Sequence, residues 1–237
     1  MTQPLPVDPE GAARQLLADL GALPAKTTEP IRVLRRRYST GLKVAGADFV
    51  WQMALALHQS LRRGTPERAG LLWVACELIA YHRPAFEGLD TARLETLGAG
   101  MQSWGDVDGF SRILAGPAWL HGLIDDATVH AWARSSDLWW RRAALVCTVA
   151  LNLRSQGGHG DTDRTLAVCE MLAADEERMV QQALSWALRE LMVHDATAVT
   201  AFVDAHESDL SGRTKREVRH KLATGLKNPR RSANLSG

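Results

Sequence analysis

A chain of 237 residues, 46% hydrophobic and 23% charged, can bury the core of one large globular domain or two small ones. Its formal net charge of +1 gives no overall pull toward a polyanion, so composition alone points to no nucleic-acid partner. No stretch approaches the roughly 18 apolar residues of a membrane span, and Met1-Thr2-Gln3-Pro4-Leu5-Pro6 lacks a basic region followed by an apolar run, so neither membrane insertion nor secretion is expected. Cys76, Cys147 and Cys169 are odd in number, share no metal or redox spacing and lie in apolar stretches. They read as buried reduced thiols, which predicts a cytoplasmic protein.

After a Pro-containing lead, an amphipathic helix begins near Asp8 with Leu16, Leu17, Leu20 and Leu23 as its stripe. Pro24 and Thr27-Thr28 break it. A second helix runs from about Glu29 to Tyr38, its arginines on the polar side, and Ser39-Thr40-Gly41 reads as a connection. A third, from about Asp48 to Arg63, repeats Val50, Met53, Ala54 and Leu57 on one face. Gly64-Thr65-Pro66-Glu67 is a stop followed by a start. The helix it opens reaches about His82 and ends at Pro84. Asp90-Thr91 opens a short helix through Leu97, and Ser103–Asp108 leads into Phe110, Ile113 and Leu114 before Gly116-Pro117 breaks the chain. Short helices follow around Leu120 and from Asp126 to Arg134. Ser135-Ser136-Asp137 caps a mostly apolar helix over Leu138–Leu153. The Gly-rich 155–161 segment is the expected flexible loop, and helices near 163–174, 176–193, 195–207 and 212–225 complete the chain. About residues 1–7 and 228–237 are expected to be flexible ends.

No segment alternates with period two between hairpin turns, so the fold class is all-α. Roughly a dozen helices joined by short breaks make a globin-like cluster or a stacked solenoid, and the later pairs recur about every 35–45 residues, near HEAT or armadillo spacing. Charge is sided within the chain. Arg32, Arg35, Arg36 and Arg37 crowd one segment, and Arg134, Arg141 and Arg142 another. From Arg213 to Arg231 eight basic residues face one acid, Glu217. That pattern fits a polyanion partner better than the net charge does, although solvated helix faces would look alike. His121 and His130 flank Asp125-Asp126 without metal-ligand spacing, residues 157–160 lack the Lys-Ser/Thr of a P-loop, and no Gly-x-Ser-x-Gly elbow occurs.

Trp104 and Asp108, four residues apart, share a helix face. An indole beside a carboxylate is a poor core pair but suits a cation. Arg142 lies 38 residues after Trp104, and Trp186 lies 44 after Arg142. Each interval is about one helix-pair repeat, so in a solenoid the four residues line one side. An arginine there fits a phosphate bidentately, and a carboxylate stabilises developing positive charge.

Four stretches resemble the HEAT-like-repeat DNA glycosylases of the AlkD type. Ser103-Trp104-Gly105-Asp106-Val107-Asp108 matches a Trp-x-x-Val-Asp core, with Gly105 where many members carry Asp. Ser136–Ala144 places a Trp-x-x-Arg-Ala pattern on Trp139 and Arg142. Gln182–Glu190 contains Trp186, and Leu210-Ser211 leads through Thr214 to Arg216 and Glu217. These stretches, in family order, cover roughly residues 100–222; the first hundred residues are similar only in helical pattern. The resemblance implies a single HEAT-like-repeat domain over residues 1–237, a right-handed superhelical solenoid with a concave DNA-binding groove. It implies a DNA glycosylase that removes cationic N3- or N7-alkylated purines from duplex DNA without a base-flipping pocket. Asp108 would be the catalytic carboxylate, Trp104 and Trp186 the aromatic walls beside the deoxyribose, and Arg142 the phosphate holder. Arg189, Arg37, Arg141 and Arg216 are further candidates for the DNA backbone. No metal or cofactor is implied; the expected state is a monomer, nucleoid-associated when bound to DNA.

Other readings stand beside this one. A non-catalytic HEAT-like protein that recognises distorted or branched DNA shares the arginines, and a protein-binding helical scaffold shares only the repeats. Each of the eight tryptophans can be core, Asp108 can be a cap or ion-pair member, and Arg142 a structural ion pair.

Overall fold

The computed structural model describes residues 6–64 and 70–226, and among these all regular structure is helical, with no strand. The lead before Pro6, the Thr65-Pro66-Glu67 start and the tail from Lys227, with Arg230 and Arg231, lie outside the described residues. The chain forms two compact units that divide between Thr128 and Val129.

In the first unit, α1 (Pro9–Ala22) starts where the sequence places it, because Asp8 accepts the Gly11 N–H at 2.6 Å and Pro9 suits the first turn. Leu16 and Leu20 of the expected stripe are buried with Ala12 and Ala13, while Leu17 and Leu23 are half-buried. Helix α2 is Thr28–Leu42, so Ser39-Thr40-Gly41 is not a connection. Leu42 must be reached to be buried, and the Thr40 hydroxyl satisfies itself by donating to the Arg36 carbonyl at 3.0 Å, inside the helix. Helix α3 (Ala47–Arg62) buries Val50, Met53, Ala54 and Leu57 as predicted and packs on α1 and α4 (Leu72–Ala80).

Helix α4 is the hub of this unit, packing also on α2, α5 (Arg83–Glu87) and α7 (Trp104–Phe110). Pro84 follows the end of α4 and lies in the first turn of α5, where its missing N–H costs nothing and His82 caps the Ala85 N–H at 3.2 Å. Asp90 caps α6 (Thr91–Gly98) through the Arg93 N–H at 2.7 Å. The expected break at Gly116-Pro117 does not occur. Helix α7 runs into a π-helical turn, Ser111–Ala115, and on into α8 (Gly116–Leu120). A proline would clash with the carbonyl four residues back in a regular α-helix; the wider turn, closed by Gly116 N–H to the Ser111 carbonyl, makes room for it.

Helix α9 (Asp126–Ala133) spans the boundary between the units. In the second unit α10 (Leu138–Asn152) is buried continuously from Arg142 to Asn152. It packs on α12 (Arg178–Leu191), which also meets α11 (Thr162–Met171), α13 (Ala196–Ala205) and α14 (Gly212–Thr224). The loop expected to be flexible is pinned instead. Gly158 is buried so close to α10 that a Cβ would lie 2.3 Å from the Ala150 carbonyl oxygen, and its N–H donates to the Leu153 carbonyl at 3.0 Å. Asn152 ties that end of α10 to α11, donating to Thr165 Oγ1 at 3.0 Å and accepting the Asp161 N–H at 3.2 Å. The three cysteines are buried and none is in a disulfide, and burial pushes the Cys76 thiol up to about 12.

Candidate functional site

Helix α7 has two unlike faces. Val107 and Phe110 are buried on one; Trp104 and Asp108 share the other, where Trp104 is 61% exposed and Asp108 half-buried. An indole held this far into solvent forgoes much of the burial that normally stabilises it. The start of the helix is well defined. Ser103 Oγ accepts the Asp106 N–H at 3.2 Å, and Asp106 Oδ2 accepts the Gln102 N–H at 3.1 Å, a reciprocal cap close to the capping box. Asp106 thus supplies the acid at the helix start. A Cβ at Gly105 would meet only Ser103 Oγ, at 3.7 Å, so nothing there excludes the family's aspartate. Gly109 is different: a Cβ would lie 2.9 Å from the Trp73 Cβ of α4, so the glycine lets the two helices touch backbone to side chain.

The second unit carries the remaining candidates. Arg142 on α10 is only 5% exposed, and its Nη1 donates to the Met179 carbonyl at 2.6 Å, which fixes the guanidinium plane against the start of α12. Trp186 on α12 is half-buried, its indole N–H held by Glu190 Oε1 at 3.0 Å. One turn away, Arg189 donates to the Ser185 carbonyl at 3.0 Å and lies 3.8 Å from Glu217. Glu217 also accepts Ser185 Oγ and Arg213 Nε, each at 2.7 Å. Burial raises its pKa, but those hydrogen bonds and the two arginine charges outweigh that and hold it below the usual carboxylate range. The fourth motif is a structural clasp. Thr214 Oγ1 and the Ser211 N–H both reach Gln181 Oε1, at 2.9 and 3.1 Å, while the Gln181 amide donates to the Ala173 and Asp175 carbonyls.

Arg141 is engaged within the protein, with Nε on Asp175 at 2.6 Å and Nη1 on the Ser135 and Ser136 carbonyls. Arg37 and Arg216 are exposed and make no hydrogen bond or ion pair among the described residues. The other α2 arginines are not a free basic face. Arg32 and Arg35 converge on buried Glu77, at 3.3 and 2.7 Å, with their guanidinium groups over Trp73 and Tyr81, and Arg36 pairs with Glu29 at 2.5 Å. Trp51, Trp119 and Trp132 are core; Trp73 and Trp139 are half-buried.

The structure thus brings Trp104 and Asp108 onto one turn in the first unit, and Trp186, Arg189 and Arg142 onto neighbouring helices in the second. Nothing local in the sequence marks Glu77 as the anchor of two arginines, and Gly116-Pro117 is the only signal of the π turn that follows Asp108. Among the described residues no group of three or more His, Cys, Asp or Glu side chains could hold a metal, and no helix is long and apolar enough to cross a membrane. Searches of curated proteins and of solved structures return no match. The profile of one family, described as DNA alkylation repair enzyme, matches residues 31–222, reaching well before the four motifs into α2. The regular structure of the described residues is all helical, and the chain acts in DNA alkylation repair and belongs to the DNA alkylation repair enzyme family.

Proposed function

We propose that this protein is a cofactor-free DNA glycosylase that excises N3- and N7-alkylated purines from duplex DNA. The observation that carries the reading is the exposed Trp104 indole one turn from the Asp108 carboxylate. An alkylated purine of this kind is cationic and leaves as a neutral base. As the C1′–N bond breaks, its electron pair goes to the purine and positive charge develops on the deoxyribose. Water then bonds to C1′ and releases a proton, leaving an abasic site and free base. Asp108 stabilises the sugar cation and orients the water, and indole faces at Trp104 and Trp186 add about 0.5–2 kcal/mol each by cation–π attraction. Arg142 holds the phosphates beside the lesion, and the exposed Arg37 and Arg216 grip the backbone farther out. The HEAT-like solenoid implied by the resemblance would present these groups, on a monomer, along an open concave groove rather than in a pocket for a flipped base.

Duplex DNA carrying N7-methylguanine should release free base when incubated with the protein. Asp108→Asn should slow release by about 10²–10³-fold while leaving duplex affinity intact. Tight duplex binding with no release by the wild type would favour a non-catalytic reader of distorted DNA.

A further inference from the structure

We propose that Arg62, seated on His58, is a positioning residue for base excision: it aims Trp104 and Asp108 by holding the loop from which α7 starts. The inference rests on the glycosylase reading. Trp104 is the first residue of α7, so where its side chain points depends on the loop before it as well as on the helix that continues after it. That loop, residues 99–103, is fastened to α3 near its start, where Arg62 Nη1 donates to the Gly100 carbonyl. Gly100 has φ +72°, and a Cβ there would stand 3.0 Å from Arg62 Nη1, so both the turn and the close approach call for glycine.

The two α3 side chains support each other. Arg62 Nε points at His58 Nε2 across 3.4 Å. Burial, and then the Arg62 charge, push the His58 imidazole down to about 4, so near neutral pH it is an uncharged acceptor for Arg62. Burial also lowers the Arg62 pKa, and the Asp106 carboxylate opposes this by favouring the charge. Asp106 is the residue whose side chain and N–H close the cap at Gln102 and Ser103. One guanidinium therefore acts on the loop backbone and on the acid that starts the helix. Neither link touches DNA; both set where Trp104 and Asp108 point.

Single-turnover release of N7-methylguanine, duplex affinity and thermal midpoint, measured on the full chain, separate aim from stability. Arg62→Gln should slow release by about tenfold to a hundredfold with affinity unchanged. Arg62→Lys, which keeps the charge and a donor for Gly100, should recover much of the rate. Asp106→Asn should repeat the split from the other side of the loop. Rate and affinity falling together would make Arg62 a DNA contact and overturn the proposal, as would a folded Arg62→Gln with the wild-type rate. If Arg62→Gln does not fold, a wild-type rate in folded Asp106→Asn overturns it. A wild type that releases no base removes the glycosylase reading and this inference together; a fully active Arg62→Gln beside an active wild type removes only the inference.

Discussion

Gly105 and Gly109 sit on the same short helix and have opposite requirements. At Gly109 an added methyl meets the Trp73 Cβ at 2.9 Å, and neither helix can yield without moving backbone. Gly109→Ala should cost about 1–3 kcal/mol in an unfolding titration, and because it pushes α7 off α4 it should also slow excision. Gly105 has room, lies in the first turn and faces solvent. Gly105→Asp should stabilise by about 1 kcal/mol, from lost chain entropy and an acid near the helix start, with excision at or above the wild-type rate. If the two substitutions have equal effects, the steric account of Gly109 is wrong. The sequence marks both glycines alike. Only the distance to Trp73, 36 residues earlier in the chain, tells them apart.

Between elements, the clearest titrating tie is His206, at the C-terminus of α13. Its Nε2 lies 2.7 Å from Glu170 of α11 and its Nδ1 3.1 Å from Asp209. Burial lowers its pKa, but hydrogen bonds to Asp209 and Glu170, and their charges, outweigh this and leave it raised. A raised histidine stabilises the fold fully below its unfolded pKa of about 6.5 and loses that contribution as pH climbs through the folded value. The thermal midpoint should therefore fall as pH rises from about 6.5. His206→Gln should flatten that dependence; identical slopes would show that the tie carries no stability. Helix existence was readable along most of the chain, because caps such as Asp8, Asp90 and Asp137 are local. Continuations were not. Helix α2 passes through Ser39-Thr40-Gly41 because Leu42 has a core to reach, and no local residue reports that core.

For the molecule as a whole, the question is which basic groups remain for a polyanion. The basic run of α14 looks like a DNA-binding stripe in sequence, yet much of it is answered internally. Arg213 pairs with Glu217, Lys215 with Glu207, and Arg219 with Glu207 and Asp204. Asp204 comes from the last turn of α13 and Glu207 from the turn after it, so the pairing is a tertiary fact that the charge pattern conceals. Arg216 stands outside these pairs. Arg216→Ala should weaken duplex binding and lower the salt dependence by about 0.9 in log–log slope, one phosphate's share. Arg141→Ala should lower stability by about 3 kcal/mol instead, because it strands the Asp175 carboxylate, and should leave the salt slope alone. The reverse outcome would exchange their roles. The candidate active residues were legible because Trp104 and Asp108 are local neighbours. The state of the arginines was not, because each is decided by an acid or carbonyl elsewhere in the fold.

The π turn at Ser111–Ala115 also keeps a count. It holds one residue more than an α-helix of the same length would use, directly after the segment that bears Asp108. Each residue of an α-helix advances the chain by about 100° around its axis. Close the ladder regularly there without removing a residue, and everything upstream would change phase by about that angle relative to α8. Trp104 and Asp108 would rotate toward the core, and Val107 toward solvent. The bulge is a phase keeper, and the outward direction of the carboxylate is a property of the width of one turn as much as of chemistry.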